Sequence, residues 1–511
     1  MNHQKKQIIT INILILLFIN LISIVSAIIK VNPENQFLID QYNRVRLFHG
    51  VNVVYKIPPF HPSLEGFDPI TSFSTEDIEN LVEWGFNAVR LGVMWPGVEP
   101  VKDEYNQTYL DVMSKLVSEM GDNEIYTLID FHQDLLSRKY CGEGFPDWLV
   151  SSDSDDSFPS PVTSSYPKNN ESYPSLSQCL SKDFGEYYFS KDVGREFQNL
   201  YDNVNGIQDE FIDYWRELVN NFKGFDTVLG YEIINEPWGG DIYQNPEFIL
   251  RLGYADEKNL LPLYQAVNQA IRELDDEHCV FYEKALTDLL HSYFPSGTPG
   301  GIEYNDRQVL SYHIYCGTDR SGNPRHQYVC DGEDDLFLVN AMKDLKQTGG
   351  GGFMTEFGAV SNETNSIEML NYLTGAADKY LQSWTYWQLK YYNDITTAGS
   401  TESLYLPNGE LDISKITALS RTYAQAISGI PLSMSFNPTN SDFTLSYTIN
   451  TTITQPTQIY LNQDLFYPNG FTSTITSGTA TISNPQKNSI YILPNSNTIN
   501  QSTITIEILK K

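Results

Sequence analysis

The stretch V-L-G-Y-E-I-I-N-E-P, Val228 to Pro237, decides how this chain is read. It begins as an apolar, β-prone run and ends on an amide, a carboxylate and a proline. Asn235 and Glu236 are costly to bury, so such a run ends either in a solvated turn or at a site that uses them. Seven similar runs bear on the choice. They are F-H-G-V-N-V-V-Y (Phe48 to Tyr55), N-A-V-R-L-G-V (Asn87 to Val93), I-Y-T-L-I-D-F-H (Ile125 to His132), C-V-F-Y-E (Cys279 to Glu283), V-L-S-Y-H-I-Y (Val309 to Tyr315), F-M-T-E-F (Phe353 to Phe357) and S-W-T-Y-W-Q-L (Ser383 to Leu389). Each is near-continuously apolar, as strands covered on both faces are.

Helix-like stretches alternate with these runs. One is S-T-E-D-I-E-N-L-V-E-W, with a Ser or Thr cap ahead of an acidic first turn. Eight strand–helix beats over roughly 380 residues predict an α/β chain folded as a (β/α)8 TIM barrel. The rival, a doubly wound sheet, usually shows a Gly-rich phosphate turn after a strand, and the sequence has none. Polar residues gather where the runs end: Lys56, Arg90, His132 and Asp134, Asn235 and Glu236, Glu283, His313 and Tyr315, Glu356, and Trp387. In a barrel these ends share the face that carries active sites. One such residue is easily a satisfied polar group of a barrel layer; so many on one face point to a site.

Two stretches break the rhythm. Residues from about 138 to 209 form a long insertion over the active face, read as a lid. Its S-S-D-S-D-D-S-F-P-S-P run lacks the spaced ligands of a calcium loop and reads as a solvated face. Beyond about Ile430 the sequence alternates Thr, Ser, Asn and Ile, as in F-T-L-S-Y-T-I-N, with Asn, Gly and Pro punctuation. That patterning predicts an antiparallel β-sandwich of about 80 residues. The expected organisation is a leader at 1–27, a catalytic barrel at 28–429 and a small C-terminal sandwich at 430–511.

The 511 residues carry a formal net charge of −31, with a pI near 4.5. Nucleic-acid binding rests on Lys and Arg meeting phosphates, so no nucleic-acid partner is expected. Aromatics reach 13%, which suits both a large core and stacking on flat ligand faces. The N-terminus has a short basic region at Lys5 and Lys6, a long apolar run and a small-residue site at Val25-Ser26-Ala27. This is the pattern of a secretory signal; an uncleaved anchor is the alternative. The expected location is outside the cell or in the lysosomal or endosomal lumen. That route gives the five cysteines meaning. Cys141 with Cys179 and Cys316 with Cys330 each flank a loop that a disulfide would staple, Cys279 reads as a buried strand residue, and sequence alone leaves the connectivity open. Asn106, Asn170, Asn362, Asn450 and Asn500 are glycosylation acceptors by pattern.

Glu236 and Glu356 end runs four and seven, which face each other across a barrel mouth. Two opposed carboxylates are the machinery of glycoside hydrolysis. One must hold a proton for the leaving oxygen and the other must be ionised, so their environments have to drive their pKa values apart. Asn235 is placed to hold a sugar 2-hydroxyl, and Arg90, His313 and Tyr315 to keep Glu356 ionised and aimed. Trp387 is a candidate floor under a sugar ring. Neighbours on an ideal strand point to opposite faces, so Asn235 and Glu236 share the site only if the backbone twists or bulges there.

N-E-P after run four, H-I-Y in run six, T-E-F-G in run seven and W-x-x-W in run eight together resemble glycoside hydrolase family 5, among the retaining (β/α)8 glycosidases. The resemblance implies that Glu236 is the acid/base and Glu356 the nucleophile. It gives Arg90, His132, Asn235, His313, Tyr315 and Trp387 supporting roles. G-V-N-V-V-Y-K-I-P-P-F (Gly50 to Phe60) and D-F-H-Q-D-L-L-S-R-K-Y-C-G-E-G-F-P-D-W (Asp130 to Trp148) are similar to the endoglycoceramidases of that family, as is the C-terminal sandwich. That likeness implies that Lys56, His132 and Asp134 hold the glucose next to the cut bond. It implies a glycosphingolipid substrate, transient contact with a membrane or micelle surface, and an activator protein or detergent-like lipid as a possible helper. No metal or cofactor is needed by such a mechanism. Ile57, Phe60, Leu135, Leu136, Phe145 and Trp148 lie next to the polar cluster in sequence and form either an apolar groove for ceramide or the lid's own core. The alternatives within the same chemistry are a β-glucosidase on glucosylceramide or steryl glucoside, a galactosylceramide-preferring relative, and a β-1,4-glucanase. A binding protein that kept the fold and lost the reaction would have no need to keep both glutamates.

Overall fold

The computed structural model describes residues 28–511 except 151–156, 170–172, 289–290, 320, 325, 395 and 397–398. The expected leader, the acidic run at 151–156 and the acceptor Asn170 lie outside the described residues. Eight parallel strands close into a barrel: β1 (His49–Val53), β2 (Ala88–Gly92), β3 (Tyr126–Asp130), β4 (Val228–Glu232), β5 (Cys279–Tyr282), β6 (Gln308–Ile314), β7 (Gly351–Phe357) and β8 (Ser383–Tyr386). All fall within or beside the eight apolar runs. Residues of β1 to β5 are buried without exception, because barrel interior and helix layer cover both faces.

Register carries the site. β1 and β2 pair Gly50 with Ala88 and Asn52 with Arg90. The approach is so close that a Cβ on Gly50 would lie 1.9 Å from the Ala88 carbonyl oxygen, so only glycine fits. β3 and β4 pair Asp130 with Glu232. Against β6 the register of β7 slips between Met354 and Glu356, making Thr355 the extra residue of a β-bulge. A bulge of this kind re-aims the side chain that follows it, here Glu356.

Helices α1 (Thr75–Glu83), α2 (Gln107–Asp122), α3 (Ile207–Phe222), α4 (Leu261–Arg272), α5 (Gln327–Thr348), α6 (Thr364–Tyr380) and α7 (Ile413–Leu419) pack around the strands. The acidic first turn of α1 acts as expected: Asp77 accepts from the Ser74 backbone N–H at 2.8 Å. The eight-beat expectation fails once. Between β5 and β6 the described residues form only a 3-10 turn, Ile302–Arg307. Pro295, Gly297, Pro299, Gly300 and Gly301 crowd that segment, and each disfavours a helix. Disulfides join Cys141 to Cys179 within the insertion and Cys316, in the loop after β6, to Cys330 in the first turn of α5, while Cys279 is a buried free thiol.

The C-terminal sandwich is larger than the sequence shows. One sheet contains Gly429–Phe436, Phe443–Ile449, Thr503–Lys510 and Phe471–Ser477. The other begins earlier than residue 430, with Tyr423–Ile427. It is extended on one side by three two-residue strands from the N-terminus, Lys30–Val31, Leu38–Ile39 and Val45–Arg46. Strands that short leave no period-two pattern to read. Between them the same N-terminal residues close the bottom of the barrel. Ile29, Val31 and Leu38 pack with Phe48, Ala88, Leu229, Cys279, Val309 and Phe353. His49 lies between the rings of Trp384 and Tyr423, 4.2 and 3.6 Å away, and locks the two domains together.

Candidate active site

The centre of the upper barrel is Arg90, fully buried on β2. Its guanidinium donates to Glu232, to Glu356 Oε1 at 2.5 Å, to Asn235 Oδ1 at 2.8 Å and to Asn52 Oδ1 at 3.1 Å. Asp130 Oδ1 lies 3.1 Å from Nη2. Burial disfavours the charge, but Asp130, Glu232 and Glu356 raise its pKa well above the ordinary value. A planar fork with five donors is what this arrangement demands.

Glu356 stands beside that fork and accepts a second bond from the Tyr315 hydroxyl at 2.9 Å. Glu236 lies four residues beyond the end of β4, not on the strand itself. It has a left-handed backbone, φ 41°, and lines the cavity, while Asn235 stays buried behind it. Gln133 fixes this turn: its side chain donates to the carbonyls of Asn235 and Glu236, and its own carbonyl accepts from Asn235 Nδ2. His313 stands between the two glutamates. Its Nδ1 is 2.8 Å from Glu236 Oε1 and 3.5 Å from Glu356 Oε2. It therefore serves Glu236 first, contrary to the expectation that it belongs with Glu356. A carboxylate oxygen of each glutamate and a ring nitrogen of His313 all lie within 4.8 Å of one another.

Burial pushes the Glu236 carboxyl up, Asp134 adds to this, and His132, Arg90 and Lys56 oppose it, for a pKa of about 7. Burial also raises Glu356, while Arg90 pulls it back. Glu356 thus lies above rather than below the ordinary glutamate value, because burial outweighs the neighbouring cation. Glu236 is half-protonated at neutral pH.

One wall is a second cluster. The Lys56 ammonium lies 2.7 Å from Asp134, 3.1 Å from Asp394, 3.2 Å from Glu143 and 2.7 Å from the Thr396 hydroxyl. It also sits 4.8 Å above the Trp387 ring. His132 stacks on the same indole at 5.1 Å, and its Nδ1 is 3.0 Å from Asp130. Burial works against a charged His132, yet Asp130 and Asp134 raise it to about 10, so it is an imidazolium. Burial opposes ionisation of Asp134 as well, but Lys56 and His132 hold its carboxyl well below the usual range. The Trp387 indole donates to Glu402 at 3.2 Å.

These groups open on a cavity of about 740 Å³. His132, Asp134, Glu236, Tyr315, Glu356 and Trp387 line it. Lys56, Arg90 and His313 contact these residues from behind, and Asn235 joins them through Arg90. All ten residues given a catalytic or binding role from the sequence thus fall in one connected site. The apolar residues do not follow. Leu135, Leu136 and Phe145 are buried in the core, where Phe145 packs on Trp95 and Phe131, and Trp148 packs on Trp95. These four belong to the main core between barrel and helices, so they form neither a ceramide groove nor a separate core of the lid. Ile57 and Phe60 pack against buried clusters and do not line the cavity. Its apolar outer wall instead includes Leu180 and Phe184 of the insertion. Asn52, Asp130, Gln133, Glu143, Glu232, Asp394 and Thr396 were not singled out. The signal for Asn52, Asp130 and Glu232 was a polar residue inside an otherwise apolar run.

Residues 66–393 match the family described as cellulase (glycosyl hydrolase family 5), and residues 421–508 match the glycoside hydrolase family 5 C-terminal domain. The chain is 38% identical over 454 residues to an endoglycoceramidase of Cyanea nozakii, covering 88% of this chain and 87% of that protein. It is 40% identical over 448 residues to an endoglycoceramidase of Hydra vulgaris, covering 87% and 82%. The fold is similar to that of endo-glycoceramidase II from Rhodococcus sp., with a TM-score of 0.73 at 20% identity, over 93% of this chain and 99% of that one.

Arg90 sets the stability of this centre. Replacing it by Met leaves Asp130, Glu232 and Glu356 buried without their shared cation, which costs about 3–5 kcal/mol. Urea unfolding should show that loss for Arg90→Met, and Arg90→Lys should recover little of it, since one ammonium cannot reach so many acceptors.

Proposed function

The chain belongs to glycoside hydrolase family 5, and from that premise we propose a retaining endo-β-glycosidase that hydrolyses the linkage between oligosaccharide and ceramide in glycosphingolipids. The observation that carries the mechanism is the proximity of Glu236 and Glu356, whose facing oxygens are no more than 4.8 Å apart. Inverting glycosidases hold their carboxyl groups about 6.5–9.5 Å apart to admit a water, whereas retaining ones keep them about 5–5.5 Å apart for direct attack. Glu356, aimed by Arg90 and Tyr315, attacks the anomeric carbon. Glu236 gives its proton to the departing ceramide oxygen, then takes one from the water that releases the sugar. Asn235, oriented by Arg90 and Gln133, faces the 2-hydroxyl. Trp387 forms the platform for the ring, and Lys56, His132 and Asp134 supply donors and acceptors to the sugar next to the cut bond.

The substrate is supported by the two endoglycoceramidase relatives, each matched over more than four-fifths of its length. A ceramide needs apolar surface beside this polar site, and Leu180 and Phe184 are placed on the cavity wall to provide it. Ceramide resides in membranes and micelles, so turnover involves transient contact with such a surface, with an activator protein or detergent-like lipid as the means of presentation. Two disulfides and the leader pattern support a location outside the cell or in a lysosomal or endosomal lumen.

Incubation with a ganglioside should release the intact oligosaccharide and free ceramide, and Glu236→Gln or Glu356→Gln should lower turnover by a factor on the order of 10² or more. Stepwise loss of single sugars, or near-normal turnover by either folded variant, overturns the reading. The pH profile follows from the two carboxyls. Glu236 must be protonated, so kcat/KM falls as pH rises through about 7. Glu356 must be ionised and lies above the ordinary glutamate value, so activity also falls on the acid side and the optimum is mildly acidic. Introducing aspartate at both Leu180 and Phe184 should raise KM for the lipid substrate about tenfold by removing apolar contact. Turnover of a soluble aryl glycoside should stay near the parent value.

A further inference from the structure

Glu283 follows the last residue of β5 and is buried beneath the catalytic pair. Its backbone is fixed by the Tyr264 hydroxyl, which donates to the Glu283 carbonyl at 2.8 Å. Its side chain touches Glu236 by two routes. The Glu236 backbone N–H donates to Glu283 Oε2 at 3.3 Å. On the other side, Glu283 Oε1 lies 3.3 Å from His313 Nε2, and the opposite ring nitrogen of His313 lies 2.8 Å from Glu236 Oε1. Neither Glu283 Oε1 nor His313 Nε2 has any other hydrogen-bond partner among the described residues, and both are buried. Two orphaned polar atoms that face each other need one hydrogen between them.

The surrounding charges settle where that hydrogen resides. Burial pushes the Glu283 carboxyl well up; Glu232, Glu236 and Glu356 push the same way, and Arg90, 4.0 Å from Oε1, opposes them. Burial also lowers the His313 imidazole below its ordinary value, despite the carboxylates around it. The hydrogen therefore sits on the acid, and the imidazole is neutral with a single N–H.

We propose that Glu283 is a positioning residue: a neutral carboxylic acid that locks His313 in the Nδ1–H tautomer and thereby aims the catalytic proton of Glu236. Glu283 Oε1–H donates to Nε2, and Nδ1–H donates to Glu236 Oε1. The reactive proton of Glu236 is left on Oε2. Once that proton has passed to the leaving oxygen, the same Nδ1–H already points at the new carboxylate, so nothing else has to move. The opposite tautomer would set a nitrogen lone pair against that carboxylate.

This proposal rests on the reading of Glu236 as the acid, and the test separates the two. Glu283→Gln and Glu283→Leu are compared with the parent and Glu236→Gln on two substrates. One is the glycolipid, whose alcohol needs a proton to depart. The other is a dinitrophenyl β-glycoside of the same glycan, whose leaving group does not. A glutamine amide donates to Nε2 and its carbonyl accepts from the Glu236 N–H, so Glu283→Gln should keep kcat/KM on the glycolipid within about threefold. Glu283→Leu should lose about tenfold or more on the glycolipid beyond its loss on the aryl glycoside, a part of the usual general-acid contribution. Equal damage by Gln and Leu, or equal loss on both substrates, overturns the proposal. Absence of leaving-group dependence in Glu236→Gln overturns the acid assignment itself. If Glu283→Leu does not fold, 15N shifts of His313 in the parent protein decide: hydrogen on Nδ1 is expected, and hydrogen on Nε2 refutes it.

Discussion

The guanidinium of Arg90 is the constraint on which the upper barrel depends. It joins residues from β1, β2, β3, β4, the turn after β4 and β7 through Asn52, Asp130, Glu232, Asn235 and Glu356. None of these acceptors can be desolvated cheaply alone. Together they surround one cation whose charge no accessible pH removes. The strands must adopt the register that brings them there, and the site is then rigid before any sugar arrives. Pre-organisation of this kind is what electrostatic catalysis requires.

Around that fixed charge, acidic groups outnumber bases. Lys56, Arg90 and His132 cannot neutralise Asp130, Asp134, Glu143, Glu232, Glu236, Glu283, Glu356 and Asp394 together. Some of these carboxyls must hold protons, and the pattern is set by distance. Asp134, in contact with both Lys56 and His132, is held well below the usual range. Glu236, Glu283 and Glu143, the last sharing Lys56 with Asp134 and Asp394, are raised. The division of labour between proton donor and nucleophile thus follows from how few cations are shared among many acids.

The sequence made the barrel legible because eight apolar runs each ended on polar residues, and those ends are the site. Glu236 and Glu356 stood out as carboxylates at opposite strand ends. What it hid has physical reasons. Glu232 and Asp130 read as parts of strands, since their partner Arg90 comes from another strand. Glu143 and Asp394 meet Lys56 only through loops. The apolar residues near the polar motif were close in sequence, yet Leu135, Leu136 and Phe145 turn inward to the core, and the cavity wall comes from Leu180 and Phe184 some forty residues further along. The N-terminal strands were too short to show a period.

Those strands tie the ends of the chain into one sheet, and the link cuts both ways. The sandwich bears no reacting group, yet its edge is completed by residues 30–46, which also seal the barrel floor. Excising either half would strip the other of hydrogen-bonding neighbours and uncover the apolar plug. The molecule is therefore indivisible for folding despite its two family segments, and the early-synthesised segment must wait for the last-synthesised one before its own sheet can form.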